Sequence, residues 1–104
     1  MRSDQNDNRS GQIAGVARAQ QRREAETLAL RVLAYVVGDD ALGPRLLELT
    51  GLDVTTLRAH AGDNQVLAAT LGFLAEHEPS LIACARALDV GPAALIDAHR
   101  VLIV

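Results

Sequence analysis

Between Ala25 and Val36, the residues Ala25, Leu28, Ala29, Val32, Leu33 and Val36 fall at i, i+3, i+4, i+7, i+8 and i+11. Only an α-helix of 3.6 residues per turn gathers such a set onto one face. The spacing therefore predicts a helix over about Glu24 to Val37, with Glu24 and Glu26 in the first turn, where the helix dipole favours anions. Gly38 and the pair Asp39-Asp40 close it. Leu30 and Val37 lie off the stripe, so this helix is expected to be contacted on more than one side.

The rest of the chain repeats the theme in shorter pieces. Gly43-Pro44 reads as a cap followed by proline at the first helical position, where a missing N–H costs nothing. Leu46, Leu47 and Leu49 then form a short helix ending at Thr50-Gly51-Leu52, the pattern of a Schellman stop. Asp53 caps Val54 to Ala61, which carries Leu57. Gly62 stops that helix, and Asp63 or Asn64 starts the next, over 64–78, with Val66, Leu67, Thr70, Leu71 and Leu74 on one side. Glu78-Pro79 breaks and restarts the chain. Leu81, Ile82, Ala85 and Leu88 make a further stripe, and Leu95, Ile96 and Leu102 mark a terminal helix beyond Asp89-Val90-Gly91-Pro92. No segment alternates with period two, so no sheet is expected.

Apolar residues make up 49% of the chain, too many for a disordered protein, yet aromatics supply only 2%. The core must be aliphatic, which suits closely approaching helices. Residues 1–11 are polar and aperiodic, and 12–23 are weakened as a helix by Gly11 and Gly15. Residues 1–23 are accordingly read as a flexible polar and basic arm, and 24–104 as one helical domain. The lone cysteine, Cys84, excludes an internal disulfide and a cysteine zinc cluster. The start of the sequence lacks the apolar run of a secretory leader, and Leu28–Val37, interrupted by Arg31, is too short to span a bilayer. A soluble, cytoplasmic protein is expected, with no membrane partner.

The run Ala25-Glu26-Thr27-Leu28-Ala29-Leu30, with Leu42, Leu49-Thr50-Gly51-Leu52, Leu57-Arg58, Ala61 and Phe73-Leu74, resembles a bacterial family of unknown function, domain-of-unknown-function family 3572. The resemblance spans roughly residues 24–102. It implies a small helical domain and carries over no activity, cofactor or catalytic residue. Leu46, Val66 and Cys84 stand where aromatic residues are expected for that family, so those core positions are smaller here. A faint internal echo, Leu52-Asp53-Val54 against Leu88-Asp89-Val90, is explained by shared turn chemistry.

Function leaves fewer marks. Leu46 to Arg58 has the outline of a helix-turn-helix, but Leu47 sits where a small residue is wanted, and the second helix offers only Arg58 as a strong base reader. Residues 25–104 carry five arginines against ten acids, which disfavours phosphate. The arm residues Arg18, Arg22 and Arg23 are read first as solvated charge. His60, His77 and His99 share no i, i+3 or i+4 spacing, so no metal site is expected. No phosphate loop or nucleophile elbow is present, and neither a catalytic site nor a cofactor is expected. The apolar end Val101-Leu102-Ile103-Val104 must either pack back or offer a contact surface.

The expectation is thus an all-α, compact bundle of five or six short helices. Its function is not written in any motif. The best reading is a small non-catalytic protein-interaction or adaptor module, working through an apolar helix face or residues Val101, Leu102, Ile103 and Val104, by an unidentified partner or self-association. The alternative is a helix-turn-helix-like nucleic-acid regulator using Thr55, Arg58, Arg18, Arg22 and Arg23.

Overall fold

In a computed structural model of the chain, the stripe begun at Ala25 is the spine of the molecule. The structure describes residues 2–103, those before Gly15 by backbone alone. Six helices follow in order: α1 (Arg2–Gly38), α2 (Leu42–Thr50), α3 (Val54–Ala59), α4 (Asn64–Ala75), α5 (Glu78–Ala87) and α6 (Pro92–Ile103). No strand occurs among the described residues. The all-α bundle follows from where the aliphatic residues fall.

The core is aliphatic throughout. Ala29, Val32 and Val36 of α1 meet Leu67, Leu71 and Leu74 of α4 and Leu95, Ala98 and Leu102 of α6, all buried. These three helices make the most extensive pairings in the molecule. Leu46, Leu57 and the trio Leu81, Cys84 and Ala85 add the contributions of α2, α3 and α5. Among the described residues Thr70 is the one buried polar residue, and its Oγ1 donates to the Val66 carbonyl at 2.8 Å. That bond within its own helix removes the cost of burying the hydroxyl. Close crossings are made by glycine: a Cβ on Gly43 would stand 3.1 Å from the Val37 carbonyl oxygen, and one on Gly72 would stand 3.2 Å from His99 Nε2.

Several boundaries differ from the sequence expectation, each for a local reason. The first helix does not begin at Glu24, because residues 15–23 continue it although every one of them is exposed. Ala17, Arg18, Ala19, Gln20, Gln21, Arg22 and Arg23 are strong helix formers, and this run outweighs Gly15. The flexible-arm expectation for residues 1–14 lies outside the residues described with side chains. α2 starts at Leu42, ahead of Gly43-Pro44, because Asp39 Oδ1 accepts the Ala41 and Leu42 N–H groups at 2.9 Å each. Its end is also simpler than a Schellman stop. Gly51, at φ 71°, donates its N–H to the Leu47 carbonyl, while the Leu52 N–H turns to Thr50 Oγ1 at 3.3 Å.

The complete Schellman pattern instead closes α5. Asp89 occupies the left-handed region at φ 57°, the Asp89 N–H reaches the Arg86 carbonyl, and the Val90 N–H reaches that of Ala85. Arg31 of α1 adds its Nη2 to the Leu88 carbonyl at 2.8 Å, placing a cation at the end of α5. α3 stops at Ala59 rather than Ala61, and α4 at Ala75 rather than 78, leaving Glu76 and His77 to make the turn into α5.

Candidate functional site: an apolar trough between α1 and α3

α3 is six residues long and buries a single side chain, Leu57. So short a helix, held by one anchor, cannot seal the flank of α1 that it lies against. A groove of about 260 Å³ remains, walled by Leu30, Leu33, Ala34 and Val37 of α1 and by Val54, Leu57, Arg58 and Ala61. A second groove, of about 230 Å³, adjoins it and is lined by Val37, Asp39, Asp40, Gly43, Pro44, Leu47 and Val54. Val37 and Val54 line both, so the two grooves adjoin at these side chains and together make a trough along α1.

The trough has a direction. Leu30 and Arg58 border only the first groove, Asp39 and Asp40 only the second. Along α1, Leu30 to Asp40 is ten residues, about 15 Å at the helical rise. A guanidinium therefore marks one end, two carboxylates mark the other, and aliphatic carbon lies between. Leu30 is 41% exposed and Val54 39%, while Ala34 and Arg58 are also open to solvent. Exposed aliphatic carbon gathered in a groove is available for contact with another surface.

Other reactive side chains have structural roles. Cys84 is buried, and burial pushes its thiol up to about 11. A thiol so disfavoured as thiolate is a poor nucleophile. The Tyr35 hydroxyl is raised too, chiefly by burial, with Cys84 and Asp39 adding to it. Asp53 accepts the Thr56 N–H at 2.7 Å as the cap of α3, and that bond lowers its carboxyl pKa. His77 Nδ1 pairs with Ser80 Oγ at the start of α5, His60 caps the end of α3, and the ring of His99 lies against Gly72. Among the described residues no three histidine, cysteine or acidic side chains gather as metal ligands, and no buried side-chain polar atom lacks a partner.

The residues singled out from the sequence are scattered. Thr55 and Arg58 are exposed on α3, but Arg58 faces the trough. Arg18 and Arg22 line a different groove with Gln21, Arg100 and Val101, and Arg23 lines a third with Thr27, Leu28, Arg31 and Val90. Arg22 is also engaged locally. It stands 3.8 Å from Glu26, and with the Asn64 amide oriented to suit both neighbours, Asn64 accepts from Arg22 Nη2 at 3.1 Å and donates to Glu26 Oε1 at 3.2 Å. Arg58, the pair Arg18 and Arg22, and Arg23 thus border three different grooves. The C-terminal residues divide as well: Leu102 is buried in the core, Val101 is half-buried against α1, and Ile103 is exposed. Val104 lies outside the described residues.

Leu30 and Val37 were visible in the sequence as apolar residues off the buried stripe. Val54 was not, because nothing in a six-residue helix tells which side its one anchor leaves open.

Fold and surface together define a small helical domain with one aliphatic, charge-ended trough on its flank. The chain belongs to the family described as protein of unknown function (DUF3572), whose model matches residues 22–103. No curated protein and no solved structure matches it. Among the described residues, no helix is long and apolar enough to cross a membrane.

Proposed function

We propose that the protein is a non-catalytic interaction module whose working surface is the α1–α3 trough. The observation that carries this reading is the pair Leu30 and Val54, each more than one third exposed, on the wall of the mainly aliphatic groove between α1 and α3. Burying two such side chains in a partner contributes on the order of 1–2 kcal/mol each. That is enough to favour occupation, and the exposed ends of the trough supply charges that orient whatever enters. The reactive groups support the same reading, since Cys84 is protonated and buried while Asp53, His60, His77 and His99 serve caps and packing.

The test is photo-crosslinking from single positions. A benzophenone amino acid replaces Leu30 in the trough or Ala93, an exposed residue on α6, in cells producing the full chain. Adducts are expected from Leu30 and not from Ala93. Equal yields from the two positions, or none from either, contradict the reading.

A further inference from the structure

From the order of charges along the trough we infer that its occupant is a second copy of this chain, docked face to face about a two-fold axis. This rests on the reading above, that the trough is the working surface, and names what fills it. A surface that meets its own copy across a two-fold must be complementary to itself: what lies at one end has to match what lies at the other. The trough meets that condition. Arg58 stands at one end and Asp39 with Asp40 at the opposite end, with Val37 and Val54 shared between the two halves. Rotation by half a turn about the middle lays Arg58 of one copy over the carboxylates of the other, twice per dimer. It also lays Leu30 of each copy over the end of the other that carries Pro44 and Leu47 beside the carboxylates, and Val54 over the aliphatic middle. A parallel docking of the same faces would set Arg58 on Arg58 and carboxylates on carboxylates, so the charge order selects the antiparallel arrangement.

The two charges that decide this are solvent-exposed and accessible. Among the described residues, neither Arg58 nor Asp40 has an ion-pair partner within one chain. Asp39 differs, since its Oδ1 is already committed to the Ala41 and Leu42 N–H groups. Asp40 is thus the carboxylate better placed to meet the partner's guanidinium. The patch is small, so the dimer belongs among weak, reversible assemblies, dissociating at micromolar concentration or above.

The test is sedimentation equilibrium of the full chain from about 1 to about 300 μM, the range over which such an interface comes apart. The wild type is expected to show a monomer–dimer equilibrium. Arg58→Glu and Asp40→Arg, each placing like charge on like at both ends, are expected to weaken it at least about tenfold, with unchanged helicity by circular dichroism. The double variant R58E/D40R restores opposite charges across the two-fold and recovers dimerisation. A wild type that stays monomeric, or single reversals that leave the equilibrium unaltered, overturns the inference. So does a double variant no better than the singles. The two proposals fail separately: a Leu30 crosslink to a different protein overturns the dimer and keeps the trough as a contact surface, whereas no crosslink specific to Leu30 removes both.

Discussion

Cys84 is buried in the core, and burial pushes its thiol up to about 11 from about 8.5, the value for an unfolded chain. A pKa raised on folding means that the native state holds its proton where the unfolded state has lost it. The stabilisation is complete below the unfolded value and disappears as pH rises towards the folded one. Unfolding free energy from denaturant titrations is therefore expected to fall between about pH 8.5 and 11. In Cys84→Ala the decline should begin only in the higher range where Tyr35 ionises, because Tyr35 is itself raised, first by burial and then by Cys84 and Asp39. An identical pH profile for both proteins would show that Cys84 is not held away from water. The burial of Cys84 was readable from its place among Leu81, Ile82 and Ala85. The charge partners of individual residues were not: the Arg31 bond to the Leu88 carbonyl joins positions 57 residues apart and has no local trace.

Helices and their stops carry a second lesson. The phrase Leu-Asp-Val occurs at 52–54 and 88–90, and the sequence suggests the same turn chemistry for both. Asp53 is an extended N-cap, φ −86° and ψ 171°, accepting the Thr56 N–H, while Asp89 is the left-handed residue that ends α5. Position relative to the glycine decides it. Gly51 has already taken the left-handed place before Asp53, whereas Gly91 comes too late to do so for α5, and the strain falls on Asp89. Relieving that strain is expected to help: Asp89→Gly should stabilise the fold by roughly 0.5–1 kcal/mol, read as a shift in denaturation midpoint without change of slope. A loss of stability would mean that the aspartate compensates for its backbone through contacts absent here. Element types were legible because the aliphatic spacing is strong throughout. The extent of α1 was not, since the helix-weakening Gly15 and the seven good helix formers at 17–23 point opposite ways.

For the whole molecule, the stripe on α1 determines nearly everything. Its buried side recruits α4 and α6, whose residues at helical spacing were identifiable in advance, and the bundle closes around them. The off-stripe residues Leu30 and Val37 were a sign that α1 has a second side, but the sequence did not show that α3 would cover it only in part. Residual exposure depends on the length and tilt of a neighbour, which no periodicity records. The same blindness applied to the C-terminus, where Leu102 enters the core while Ile103, one residue on, does not.

Methyl chemical shifts followed on dilution of the full chain separate these surfaces in one experiment. Leu30, Val37 and Val54 are expected to move together as concentration falls, with Ile103 and Val16, which are more exposed but lie outside the trough, unchanged. Shifts centred on Ile103 or Val16, or none at the trough while association persists, would contradict the assignment of α1 and α3 as the contact face.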